Sequence, residues 1–407
     1  MQSPNVLKPE NSSQPDWAHL PVPVLCLIMD NLSEPIYHAW FAGVCKQWHL
    51  VAKDYNKKKK ALPMLLLSLN NDHKTRRVLY GITEGKIFKN INLEVFYARR
   101  CCGFSHGWLA TVDENMAITL LNPFNKSATK ITLPSLKHRK RIKIPQFNVL
   151  KVILSHNPTP SQDNYTVVVI YAPSKLLAFI NPTQQYAWTY LDENITGFTD
   201  ITFYGGLVYA VGVRGLVVSF DVNSKNYSSS HQQLKPNIIV PRGCACHTTL
   251  RYAEREYIVE SMKGDLLVVR RFMERKEGLL EEIEEEEEER KNLTESFKVH
   301  KLLLNDQTKG SLEEHVEVKS LGDEALFVGD NQSMSILASN FPGCQPNSIY
   351  FTDDSIDVFA IKNTYRPKGP FDMGIYCLEN GTFQKHYTPE YKHRYLAPPL
   401  WVVPPLQ

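Results

Sequence analysis

Leu120-Leu121-Asn122-Pro123-Phe124, followed by Ala128 to Leu133, is a hydrophobic run, a polar corner and a second, more polar run. An Asn in such a corner bonds its own backbone two residues on, and a Pro fixes φ near the turn value. The pattern recurs at Phe179-Ile180-Asn181-Pro182-Thr183, followed by Tyr186 to Leu191, and at Phe220-Asp221-Val222-Asn223. Asn122 and Asn181 are 59 residues apart, and Asn181 and Asp221 are 40 apart. That is the range of propeller blades with loops of variable length.

Hairpins extend the series. Phe203-Tyr204-Gly205-Gly206-Leu207-Val208-Tyr209 reads as strand, tight turn, strand, with the two glycines supplying positive φ. Tyr257 to Glu260 and Leu266 to Val269 flank Met262 to Asp265 in the same way. A β-sandwich would explain the strands but not a recurring corner at this spacing, and radial closure shields most strand edges. Residues 61–402 are therefore expected to form a mainly β domain, a β-propeller of six or seven blades.

Before it the periodicity changes. From Pro23 the apolar residues Leu25, Ile28, Met29 and Leu32 follow a helical spacing, and Val44, Trp48 and Val51 mark a second apolar face. Asp16 is placed to cap a first turn, and Pro21 and Pro23 suit the opening of a helix. Helices of this size bury too little surface to stand alone, so the module at 15–55 leans on a neighbour or keeps an apolar face for a partner. Residues 1–14 are polar and read as a disordered lead-in, and Lys57 to Lys60 form a basic hinge.

The chain has 407 residues, 43% hydrophobic and 11% aromatic, which is globular composition. Its net charge of +3 speaks neither for nor against a nucleic-acid partner, and none is expected. The apolar runs, such as Thr166 to Ile170, are far shorter than the roughly twenty residues of a membrane span. Residues 1–15 contain no apolar signal region, so the Asn-x-Ser/Thr triplets at Asn164 and Asn194 are expected to stay unglycosylated. In that setting the eight cysteines read as reduced thiols, and the expected compartment is cytoplasm or nucleus.

Leu20-Pro21, Leu25, Ile28 and Leu32, a gap, then Val44-Cys45 and Trp48 resemble the F-box pattern. Pro23 stands where that pattern often has an acidic residue, and Pro35, Ile36 and Trp40-Phe41 replace the usual Asp and Arg of the gap. The resemblance implies that Leu20, Pro21, Leu25, Ile28, Leu32, Val44, Cys45 and Trp48 serve docking on a Skp-type adaptor and, through it, a cullin-RING ubiquitin ligase. Ser320 to Gly329, Pro342 to Asp354, Cys101-Cys102-Gly103 with His106-Gly107-Trp108-Leu109, and Pro398 to Pro405 around Trp401 are similar to signatures of the plant family of KIB-type β-propellers, once called domain of unknown function 295. An F-box followed by this propeller is that family's usual order. The combined resemblance implies a non-catalytic substrate-recognition subunit of an SCF-type ligase, with the propeller holding an unidentified protein substrate and no cofactor required. A second reading is an interaction propeller whose divergent helical segment does not engage the ligase.

Other motifs are weaker. Gly103-Phe104-Ser105-His106-Gly107 spells the nucleophile elbow of hydrolases, but strand formers follow it where the elbow needs a helix, so Ser105 reads as a turn residue. Cys101-Cys102 and Cys244, Cys246 and His247 lack the two clusters of a structural zinc site. Asp353, Asp354 and Asp357 lack the glycine and terminal glutamate of a calcium loop and read as turn and cap residues. Glu281 to Glu289, inside an insert at 275–293, repel one another and offer no apolar stripe, so a solvated loop between paired strands is expected. It would serve as an acidic lure only for a basic substrate. The basic run Lys137 to Lys143 is a candidate nuclear-import signal.

Overall fold

The computed structural model describes residues 17–57, 61–71, 74–89, 93, 99–125, 128–136, 148–158, 164–182, 185–223, 233–243, 255–273, 293–305, 311–354, 372–388 and 398–406. Asp16, Lys58 to Lys60, the basic run at 137–143, Cys244, Cys246 and His247, the acidic run at 281–289, and Asp357 lie outside them. Two compact units emerge, Met1–Ala61 with Pro405–Gln407, and Leu62–Pro404.

The first unit holds three helices: α1 (Val22–Asp30), α2 (Pro35–Ala42) and α3 (Lys46–Asn56), after a short 3-10 turn at Trp17–His19. α1 stops before Leu32, which the apolar spacing places on that helix. Asn31 leaves helical geometry with ψ 0°, and Pro35, at the start of α2, holds Glu34 extended at ψ 140°. The core is Leu25, Met29, Phe41, Ala42, Trp48 and Ala52. The Phe41 and Trp48 rings lie 4.4 Å apart, and the His38 ring sits between Asn56 Oδ1 and the Leu32 carbonyl, at 3.2 and 3.1 Å. Asn56 also donates to the carbonyl of Leu406, so the last residues of the chain belong to this unit.

The second unit is a propeller of six blades. Blade one pairs Met64–Asn71, Lys74–Gly81 and Lys86–Phe88 with the last strand of the chain, Leu400–Val402. Blade two is Arg100–Ser105, Trp108–Val112, Ile118–Leu121 and Ile131–Thr132; blade three is Val149–Leu154, Val167–Tyr171, Leu176–Asn181 and Gln185–Leu191. Blade four is Phe198–Tyr204, Leu207–Gly212, Leu216–Phe220 and Asn237–Val240, and on the way between its last two strands Gln233–Leu234 pairs parallel with blade three. Blade five is Arg255–Glu260, Leu266–Met273, Thr294–Asn305 and Ser311–Val318. In blade six Glu324–Val328 pairs antiparallel with Met334–Leu337 and parallel with Ser348–Phe351, followed by Gly374–Cys377 and Phe383–Gln384.

Each core cluster lies between two blades, because every strand alternates its side chains. In blade three Val167, Val169 and Tyr171 pack toward blade two, while Val168 and Ile170 pack toward blade four. Closure falls to Trp401, fully buried between blades six and one, whose Nε1 donates to the Val328 carbonyl at 3.2 Å. Gly103 marks a close approach of blades two and three: a Cβ there would meet the Val152 carbonyl at 2.0 Å.

Two of the three polar corners are turns capped by an asparagine or aspartate; at the third, Asn181 ends a strand and its Nδ2 donates to Asn164 Oδ1 at 2.7 Å. Asn122 Oδ1 accepts from the amides of Phe124 and Asn125, and Asp221 Oδ1 from that of Asn223. Val268-Val269 and Phe297 to Val299 do pair within one blade, Val269 opposite Val299. Ser105 ends a strand, and the turn itself is His106-Gly107, at φ 51° and 82°, before a second strand. Its hydroxyl accepts from the Leu154 amide at 2.9 Å, so no strand-to-helix elbow is formed.

Candidate docking surfaces

The inner strands carry charges that sequence inspection does not single out. Lys151 donates to Asp200 and, at 2.8 Å, to the Gly329 carbonyl. Asp200 also accepts from the amides of Ile201 and Ile258 and from Ser333 Oγ, at 2.8, 3.0 and 2.6 Å. One carboxylate thus ties blades three, four, five and six. Arg100 pairs with Asp330 at 3.0 Å. Arg271, fully buried, donates to Asp354 at 3.1 Å and to Asp372 at 2.7 Å. Burial alone would raise the Asp354 pKa, but Arg255 and Arg271 hold it below the ordinary carboxylate value. Asp354, read from sequence as a turn or cap residue, is buried against this arginine, while Asp353, also buried, accepts from the Asp372 amide at 3.3 Å. These groups pair with one another across different blades and so hold the blades together. Among the described residues no group of three or more His, Cys, Asp or Glu is placed to hold a metal.

Surfaces open to a partner lie elsewhere. On the helical unit, Leu25 is fully buried and Trp48 is 9% exposed, so both build the core rather than present a face. Leu20, Ile28, Leu32 and Cys45 pack half-buried on its margin, while Pro21 and Val44 are exposed. Gln47 Nε2 donates to the Leu20 carbonyl and Trp48 Nε1 to that of Trp17, both at 3.0 Å, which brings the start of α3 beside the residues leading into α1. Sequence matching missed Val24, Leu27, Trp40 and Leu50, all large, apolar and exposed. Their excess over a helix's core stripe was the available signal. That is much exposed apolar surface for so small a unit.

On the propeller, a cavity of about 830 Å³ opens between blades four and five, and one of about 350 Å³ between blades three and four. Both are walled by Tyr204 and Gly205 at the tip of the first hairpin of blade four. Gly205 and Gly206 have φ of 56° and 79° and nothing within 4 Å of a built Cβ, so this tip stands clear of its surroundings. The smaller cavity includes Ser155, His156 and Glu260.

A helical module with exposed apolar side chains, joined to a propeller that carries a buried charge network and, among the described residues, cavities between blades, defines a binding protein. Residues 79–377 match the model of the KIB1-4 beta-propeller family, and the chain belongs to that family. F-box protein SKIP23 of Arabidopsis thaliana is 23% identical over 424 residues, covering 95% of each chain. Putative F-box protein At1g65770 of the same plant is 24% identical, covering 86% of this chain and 92% of its own, and F-box protein At4g35733 is 25% identical, covering 85% and 91%. The chain is thus a plant F-box protein with a KIB-type propeller, and its role is of the substrate-adaptor kind.

Proposed function

We propose that this chain is the substrate-recognition subunit of an SCF-type, cullin-RING ubiquitin ligase. Its helical module docks a Skp-type adaptor, and its propeller holds a protein substrate in the cytoplasm or nucleus. The observation that carries the reading is the apolar face of the helical unit, Pro21 and Val44 with Val24, Leu27, Trp40 and Leu50, in a chain whose full-length relatives are F-box proteins. A three-helix unit gains nothing for its own fold from leaving those groups in water, and their burial on association is favourable by roughly 25 cal/mol per Å². Leu20, Leu25, Ile28, Leu32, Cys45 and Trp48 support that face from beneath and along its margin. No step of ubiquitin transfer falls to this chain, since an adaptor only brings the acceptor protein to the transferring subunits.

The test is co-immunoprecipitation of the tagged chain from plant cells, with and without Pro21→Ala combined with Val44→Glu. Adaptor and cullin should accompany the unaltered chain and fall at least tenfold in the variant, a loss of about 1.4 kcal/mol. A chain that recovers neither subunit is an interaction propeller and not a ligase component.

A further inference from the structure

We propose that the 830 Å³ cleft between blades four and five is the substrate site, and that its occupant is an extended segment of a protein presenting Lys or Arg beside apolar side chains. The inference rests on the adaptor reading for the word substrate, but the cleft's chemistry stands without it. The volume lies within the range of about 300–1,000 Å³ typical of sites that enclose a ligand. The floor is apolar, made by Leu207 of blade four and Leu304 of blade five, both half-buried at the solvent end of the inter-blade core. Tyr204 forms one wall. Its hydroxyl donates to the Gly264 carbonyl of the other blade at 2.8 Å, and its ring stands edge-on to Tyr209 at 5.8 Å. That wall is fixed before anything binds.

The charges decide the occupant. Among the described residues three carboxylates and two ammonium groups line the cleft. Lys301 lies 2.7 Å from Asp265, and the two cancel. Asp221, Glu313 and Lys235 remain, a net negative cleft. The two carboxylates come from opposite walls, and each is held. Asp221 is oriented by its turn, accepting from the Asn223 amide at 2.8 Å. Glu313 is the extra residue of a β-bulge, since Leu304 pairs with Leu312 and Leu303 with Glu314, and Asn305 Nδ2 donates to its carboxylate at 2.7 Å. A bulge re-aims a side chain out of the regular ladder, and here it aims a carboxylate at the cleft. An apolar floor, a rigid aromatic wall and acid on both sides fit a cationic side chain whose aliphatic stem lies on the floor.

The experiment titrates the full chain into two fluorescein-labelled decapeptides that share their Leu, Ser and Phe positions, one carrying three Lys or Arg and the other three Glu, read by anisotropy. The basic peptide should bind saturably and at least tenfold more tightly than the acidic one. Asp221→Asn with Glu313→Gln should weaken it at least tenfold, whereas Glu114→Gln on blade two should leave it unchanged. Lys235→Glu should tighten it about fivefold, from the Coulomb energy of reversing one exposed charge about 8 Å away in water. A gain of affinity cannot come from misfolding. Equal binding of the two peptides, or indifference of the basic one to all these changes, would overturn the proposal. Pro21→Ala with Val44→Glu is run in parallel and should leave peptide binding intact. An unaltered chain that recovers no adaptor but still binds the basic peptide contradicts the ligase reading and leaves the cleft standing.

Discussion

Asp200→Ala is the substitution to which the propeller should be most sensitive. The carboxylate is fully buried and accepts from Lys151, from two amides and from Ser333, at contacts contributed by four of the six blades. Truncation leaves the Lys151 ammonium, 3% exposed, with the Gly329 carbonyl as its remaining partner among the described bonds, and strands the Ile258 amide. Breaking one side of such a buried pair costs about 3–5 kcal/mol, most of it the penalty of an uncompensated charge. At about 2 °C per kcal/mol for a unit of this size, thermal unfolding of the full chain should fall by roughly 6–10 °C. Lys151→Met with Asp200→Leu removes both charges at similar volume and should recover most of the loss. A drop under about 1 kcal/mol for Asp200→Ala would refute the reasoning, as would a double variant no more stable than the single one.

Trp401→Ala should cost about 3–5 kcal/mol, because the closing strand loses its one fully buried indole, and urea unfolding of the full chain measures it. Leu25→Ala should destabilise the helical unit by about 2–5 kcal/mol, seen by hydrogen exchange as loss of protection in α1 to α3, whereas Leu27→Glu on its exposed face should leave protection unchanged. Glu256 is pushed up to about 7 by burial, against the opposing effects of Arg270 and the Gly215 amide, and His386 is pushed down to about 4 by burial. Unfolded, they titrate near 4.5 and 6.5. Between pH 4.5 and 7 folding takes up a proton at Glu256, so that site's contribution weakens as pH rises; between pH 4 and 6.5 unfolding takes one up at His386, so its contribution weakens as pH falls. The two offset each other, and Glu256→Gln should expose the histidine's acid destabilisation as a steeper fall of Tm below pH 6.5.

What could be read from sequence was local. Asn122 and Asp221 announce their turns because an Asx side chain and its target amide lie two residues apart, and Gly205-Gly206 announces a hairpin because both residues take positive φ. The blade number stayed between six and seven because two blades are irregular. Blade one borrows its innermost strand from the end of the chain, and blade six reverses the order of its first two strands. The charge network was invisible since its partners are distant in sequence: Arg100 and Asp330 are 230 residues apart, Lys151 and Asp200 are 49 apart. On the helical unit the motif located the module, but two of its eight residues, Leu25 and Trp48, proved to be core and four more lie half-buried against it. Trp40 and Leu50, off the motif, carry much of the exposed surface. The cleft depends on which two blades are neighbours and on a one-residue bulge at Glu313, neither of which a linear pattern reveals.

The most direct measurement of the central claim is isothermal titration of the purified full-length chain with a purified plant Skp-type adaptor. One-to-one binding in the micromolar range or tighter, with a negative heat-capacity change from apolar burial, is the predicted result, and it should weaken at least tenfold with Pro21→Ala and Val44→Glu. An adaptor that gives no heat and no co-elution with the folded chain would contradict it.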